Sequence, residues 1–315
     1  MKLAVPNVAV IDIGSNSIKA LVATRDDAGQ LIAIDQRTLD SRISTGINRD
    51  DPLLSAEGLS IGESAVAELW EFVKPHAPQA VKIVATSAVR DAANQAEFAQ
   101  RVFRRTGERL QILSGDEEAQ LIGRGLLCDP ALSSWQNFQV FDLGGGSLEC
   151  LTFEQRNLTH EVSLPLGCVR LTGKFVADID VPLSDKDDSA VRAHVRHALH
   201  AAKIPFDQTS PRAVFSGGTM TTCRAILAEA KGITLNETSP RITTELIAAI
   251  LTKLGRLSLA ERRQVPGLPA RRADVMPVAL ATVLALAETG NLTEFQHSFY
   301  NLRWGIADSL LPLKV

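Results

Sequence analysis

Three observations predict a two-domain α/β protein built by duplication. Residues 10–17, VIDIGSNS, are matched by residues 140–147, VFDLGGGS, so an apolar strand runs into Asp, Gly and small residues and closes on Ser in both places. Apolar runs of strand length alternate with segments of helical spacing along the whole chain. The length, 315 residues, is enough for two cores of ordinary size.

The elements follow in order. Residues 8–13, 18–24 and 31–37 read as three strands, the first two joined through the small-residue tip as a hairpin. Residues 55–72 carry apolar side chains at helical spacing behind a Ser55 cap. A strand at 81–85 runs into TSAVR, a helix covers 94–106, a short strand covers 111–113, and a helix covers 116–128. The second copy begins with a strand at 139–141, repeats the hairpin and adds a strand near 160–165. Helices are expected at 187–202, 220–231, 244–257 and 277–289, with a buried strand at 213–215 that ends in SGGTM. No Pro- or Ser-rich linker separates the halves, so helix 116–128 is expected to bridge them. The domains are then 1–124, joined by a returning C-terminal helix at about 299–315, and 125–298. With two related halves, the ligand is expected in an interdomain cleft.

Composition excludes several classes. Apolar residues make up 45% and charged residues 22%, the balance of a folded globular protein rather than a disordered one. Lys plus Arg number 33 against 36 Asp plus Glu, so no basic field points to duplex nucleic acid. The four cysteines are scattered without CxxC spacing, which argues against a disulfide framework or zinc site. The N-terminal apolar run breaks at Pro6 and Asn7, too soon for a secretory signal, so a cytoplasmic location is expected. VALATVLALA, residues 278–287, is about half the length of a membrane span and reads as a buried helix.

The loop chemistry follows from sterics. Gly144, Gly145 and Gly146 lack Cβ atoms, so their backbone is free to take positive φ and turn several N–H groups toward one anion. Phosphate is the natural occupant. Asp12 and Asp142 stand at the loop mouths, where an acid beside phosphate requires a divalent cation between them. Gly217, Gly218 and Thr219 form a third small-residue turn at a helix start, which either holds an anion or packs closely. Basic residues at 192, 196, 197, 200 and 203, and again at 256, 262, 263, 271 and 272, read as solvated faces rather than channels.

DIGSNS, TSAVR, SGDEEAQLIG, DLGGGSLE and SGGT, in this order and spacing, resemble the exopolyphosphatase and guanosine pentaphosphate phosphohydrolase (Ppx/GppA) family over nearly the whole chain. Two departures, SLE where STE is usual and SGGTM where SGT is usual, keep the small residues and the acid. The resemblance implies the duplicated actin-like, sugar-kinase-like ATPase fold, two ribonuclease H-like domains around a cleft. It implies hydrolysis of the terminal phosphoanhydride of inorganic polyphosphate, or of the 5′-phosphate of pppGpp, with magnesium or manganese. By the same match Glu118 is the general base and Glu117 its alternative, both in a helix first turn where acids also favour the dipole. Arg90 matches an arginine near the phosphates, with Arg42 in RISTG a weaker candidate. Ser15, Asn16 and Ser17 bind the terminal phosphate from one side and Gly144 to Ser147 from the other. Asp12, Asp142 and Glu149 hold the metal, one of them through a water. A homodimer and regulation by ppGpp belong to the same expectation. The chain resembles the family's short form, without an added HD-type helical domain, which favours short polyphosphate or pppGpp.

Two other classes stay open. A kinase of the same fold would use SGGTM as part of an adenosine pocket, although the nearest Walker-like string, residues 167–174, misses the GxxxxGK[ST] pattern. A non-catalytic alarmone or nucleotide sensor would bind phosphate and release none. Orthophosphate release from polyphosphate without acceptor or nucleotide separates them.

Overall fold

The structure is a computed structural model that describes residues 6–44, 52–206 and 212–311. One half contains β1 (Asn7–Ile13), β2 (Ile18–Arg25), β3 (Leu31–Leu39), α1 (Ala56–Val73), β4 (Ala80–Ala85), α2 (Ser87–Arg90), α3 (Gln95–Thr106), β5 (Leu110–Ile112) and α4 (Gly115–Leu127). The other contains β6 (Phe138–Leu143), β7 (Leu148–Glu154), β8 (Asn157–Leu164), α5 (Cys168–Phe175), α6 (Asp185–Ala201), β9 (Ala213–Ser216), α7 (Gly218–Lys231), β10 (Arg241–Thr243), α8 (Thr244–Gly255), α9 (Leu259–Arg262), α10 (Met276–Gly290) and β11 (Glu294–His297). The chain then forms α11 (Leu302–Leu310), which packs on α4 and β1.

The sheets show the duplication directly. The first runs β3-β2-β1-β4-β5; the second runs β8-β7-β6-β9-β11 and adds β10 at its far edge. In both, three antiparallel strands lead into parallel ones. Even the irregularity is copied: the β2/β3 register shifts between Val22 and Ala23, and the β7/β8 register shifts between Thr152 and Phe153. A bulge at the same place in both ladders bends the outer strand of each sheet alike.

Local chemistry accounts for the elements. Ser55 caps α1 by accepting from the Gly58 N–H at 3.0 Å. The apolar run in α10 is buried on every face, against α6 and α8 on two sides, with Pro277 in its first turn. Each fully buried Leu there contributes about 1.5–3 kcal/mol. Among the described residues no helix is long and apolar enough to cross a membrane.

The compact units are Met1–Ser134 with Tyr300–Val315, and Trp135–Phe299. The expected division at 124/125 instead falls inside α4, which belongs wholly to the first unit. The cause is a backbone-to-backbone crossing with α11. A Cβ on Gly125 would lie 2.1 Å from the Asn301 carbonyl oxygen, and one on Gly305 would lie 1.8 Å from that of Leu121. Arg25 and Arg124 both pair with Asp308 on the same helix. Helix α4 is therefore held by the returning chain rather than bridging two domains.

Three further readings change. TSAVR is no strand end but forms the single turn α2, because Thr86 leaves the sheet after bonding Ile13 and residues 89 and 90 donate back to its carbonyl. Helix α5 and strands β10 and β11 were not expected; the two strands are short, and β11 pairs with β9 through only Gln296 and His297. The basic groups are not simple solvated faces. Arg192 and Arg196 pair with Glu288 at 2.9 and 3.1 Å, while buried Arg262 donates to the carbonyls of Ile179, Val181 and Ala273.

Candidate active site

Each hairpin tip closes with the same hydrogen bond. The Gly14 N–H donates to the Ser17 carbonyl at 3.1 Å, and the Gly144 N–H donates to the Ser147 carbonyl at 3.0 Å. Asp12 and Lys19 are register partners across the first hairpin, as Asp142 and Glu149 are across the second, so each pair rises from one face of its sheet.

The glycine loop reaches its shape by another route than expected. None of Gly144, Gly145 and Gly146 takes a positive φ. The start of α5 instead lies flat against them: a Cβ on Gly167 would sit 2.2–2.3 Å from backbone atoms of Gly145 and Gly146. From there the Cys168, Val169 and Arg170 N–H groups donate to the carbonyls of Gly144 and Gly145, and Arg170 Nε donates to that of Gly146. The α5 N-terminus is thus filled by loop carbonyls. Because a trans peptide sets its C=O and N–H on opposite sides, the N–H groups of Gly145, Gly146 and Ser147 face away from α5, as an anion cradle requires.

In the first unit, Ser15, Asn16 and Ser17 are buried. Ser15 Oγ lies 3.2 Å from Ser87 Oγ at the start of α2, and the same short helix presents Arg90. Arg90 Nη1 donates to Glu118 Oε2 at 2.9 Å and to the Leu113 carbonyl at 3.0 Å. Asp91, at 3.8 Å, is the looser partner. A continuous line therefore runs from the Ser15 loop through α2 to Glu118, which is 7% exposed.

The two candidate bases part here. Ser114 caps α4 in a reciprocal box, accepting from the Glu117 N–H while the Glu117 carboxylate accepts from the Ser114 N–H at 2.8 Å. Glu117 is thus committed to the helix end at the surface. Glu118, one residue on, points inward to Arg90.

In the second unit, Ser216 Oγ donates to Asp142 Oδ2 at 2.6 Å. Gly217 has φ +92°, and a Cβ there would lie 2.7 Å from Asp142 Oδ1, so only glycine fits beside this carboxylate. Glu149, 2% exposed, accepts from Ser163 at 2.8 Å. Thr219 is fully buried and its Oγ1 lacks a hydrogen-bond partner among the described residues. Among the described residues no group of three or more His, Cys, Asp or Glu side chains is gathered to hold a metal ion. Of the expected trio, Asp142 and Glu149 share a hairpin in one unit, and Asp12 belongs to the other.

One residue stands at the site that the sequence placed elsewhere, and another has a role there that the sequence did not show. The Arg272 guanidinium lies against Gly218, whose Cβ would come within 1.8 Å of Nη1, and its buried Nε has no partner among the described residues. It belongs to the SGGT turn rather than to a solvated face; the glycine facing it was the available signal. Ser216 was read as the first residue of SGGTM, with no part assigned toward Asp142. Farther along α7, Arg224 is buried with Thr238, the carbonyls of Leu235 and Thr238, and His297 Nδ1 at 2.9 Å. Burial, with the Arg224 charge adding to it, pushes His297 down to about 3, so the imidazole is neutral.

The model of the Ppx/GppA phosphatase family matches residues 21–314. Among solved structures, an Aquifex aeolicus PPX-GPPA enzyme is 25% identical with a TM-score of 0.78, over 96% of this chain and 99% of that one. An exopolyphosphatase from Cytophaga hutchinsonii superposes with a TM-score of 0.86 at 19% identity, over 96% and 97% of the two chains. Two copies of one strand–loop–strand unit in a duplicated α/β fold, with a family match along nearly the whole chain, lead to one assignment: the chain belongs to the Ppx/GppA phosphatase family, hydrolases that act on phosphoanhydrides.

Proposed function

We propose that the chain hydrolyses the terminal phosphoanhydride of inorganic polyphosphate and releases orthophosphate, with Glu118 as general base. The observation that carries this reading is the pair of buried Glu118 and half-buried Arg90, joined through α2 to the Ser15 loop. A base must stay ionised yet out of bulk water, within reach of the attacking water, and Glu118 is the one acid of its helix turn that turns inward. Arg90 is poised to exchange partners. A bound phosphoryl group competes for its guanidinium, which orients the phosphate and frees the carboxylate to take the proton of the water.

The remaining residues stabilise charge. Phosphoryl transfer asks chiefly for positioning and for donors aimed at the equatorial oxygens. The N–H groups of Gly145, Gly146 and Ser147, and the Ser15, Asn16 and Ser17 side chains, supply these. Arg272, against the SGGT turn, adds a cation for the remoter phosphates. Magnesium fits the donor set as one or two carboxylates plus substrate oxygens rather than a full protein cage. Asp142, oriented by Ser216, would hold it, with Glu149 across the same hairpin. When bound, the ion neutralises charge on the leaving phosphate.

The test is orthophosphate release from polyphosphate with magnesium and no nucleotide, for wild type and Glu118→Gln, with pppGpp run in parallel. Loss of release in the variant with substrate binding kept supports the reading. Release from pppGpp alone turns it to the 5′-phosphohydrolase, and no release from either substrate sinks it.

A further inference from the structure

The geometry points to Arg42 and Arg170 as equivalent positioning residues, one for each phosphate loop, a role that rests on the phosphohydrolase reading above. The chain leaving the third strand of each sheet turns back and fastens the loop carbonyls. After β8, this is done by the Cys168, Val169 and Arg170 N–H groups and by Arg170 Nε on Gly146. After β3, Arg42 N–H donates to the Asn16 carbonyl at 3.1 Å, and Ser44 donates its N–H and Oγ to the Ser15 carbonyl. Both loops thus have their oxygens drawn to one side and their following N–H groups turned to the other.

Arg42 does a second thing. Its Nε donates to Asn16 Oδ1 at 3.1 Å. A guanidinium only donates, so this contact fixes which way the amide points. Asn16 Nδ2 is then left buried and without a partner among the described residues. A buried donor in that state is destabilising unless an acceptor arrives. A phosphoryl oxygen is the acceptor the loop is built for. Arg42 also holds φ +48°, a left-handed conformation uncommon for a residue with a Cβ. Strain kept at this spot fits a residue whose side chain and N–H are both needed on one loop. In the second loop, glycine replaces Asn16 in the matching sequence position, and Arg170 Nε grips the backbone carbonyl directly.

The experiment reads the loop amides by proton–nitrogen NMR on addition of inorganic tripolyphosphate with magnesium, in a Glu118→Gln background so that the probe persists, and pairs this with steady-state kinetics of the otherwise wild-type enzyme. Arg42→Ala is expected to abolish the shifts of the Asn16 and Ser17 amides and of the Asn16 side-chain NH2, while those of Gly145, Gly146 and Ser147 remain. Arg170→Ala is expected to do the reverse. Each raises KM by about 10- to 100-fold, the penalty of a misplaced loop. Lysine at either position keeps the charge but not the planar Nε donor, and does not rescue. Arg42→Gly relaxes the backbone while removing the guanidinium, and serves if the alanine variant folds poorly.

Full rescue by lysine, or unchanged amide shifts in the alanine variants, overturns the proposal. So does an absence of shifts in both loops before either arginine is changed. Shifts in the parent together with no hydrolysis by the wild type would sink the phosphohydrolase reading and leave the positioning role standing.

Discussion

Gly167→Ala isolates the contact that shapes the glycine loop. Gly167 has φ −62° and ψ 148°, values alanine adopts freely, so the change introduces no backbone strain. Its effect is steric: the new Cβ would lie 2.2 Å from the Gly146 carbonyl carbon and 2.3 Å from Gly145 C and Gly146 N. Carbon atoms in contact sit about 3.5–4.0 Å apart, so loop and helix must separate by roughly 1 Å or more. Overpacking of this kind costs about 1–3 kcal/mol. The same separation breaks bonds from Cys168, Val169 and Arg170 to the loop carbonyls, each contributing about 1 kcal/mol. A shift of 1 Å at a phosphate cradle also costs up to about 10²-fold in activity. Urea unfolding and polyphosphate hydrolysis, each with Gly255→Ala as control, test this, because nothing lies within 4 Å of a Cβ at Gly255. A Gly167→Ala protein with wild-type midpoint and wild-type KM would refute the idea that this approach forms the loop.

Glu117→Gln should keep hydrolysis within about twofold, since its carboxylate only caps α4, whereas Glu118→Gln should lose about 10²- to 10⁴-fold. The opposite ranking would move the base to Glu117. Ser216→Ala removes the donor on Asp142 Oδ2 and should raise the magnesium concentration for half-maximal activity about 10- to 100-fold; an unchanged magnesium titration would count against Asp142 as the metal acid. His297 is held neutral near 3 against 6.5 when free, so the unfolded chain binds its proton first as pH falls. The stability this group contributes is full above 6.5 and is lost at about 1.4 kcal/mol per pH unit below it, down toward 3. Comparing urea midpoints at pH 7 and pH 5, His297→Gln should lose about 2 kcal/mol less than wild type on acidification, and equal losses would contradict the assignment.

What the sequence determined by itself was local. The two hairpin tips, the Ser55 cap and the all-apolar α10 depend on residues close together in the chain, and their turn chemistry, capping and periodicity can be read there. The family motifs located the same loops. Tertiary structure decided between neighbours. Glu117 and Glu118 are neighbours in sequence; the local Ser114 capping box holds the first at the helix end, and only the fold brings Arg90 to the second. Arg272 and Arg192 both looked like solvated charge, yet one meets the SGGT turn and the other meets Glu288. The triglycine loop suggested positive φ, but its shape comes from Gly167 lying against it, 21 residues beyond Gly146 in the chain. Helix α4 looked like a bridge because nothing near it in sequence announces Gly305, whose missing Cβ lets α11 return and claim it. Such contacts depend on where the sheet carries distant segments, and a side chain's partner across the fold leaves no periodic trace in its own neighbourhood.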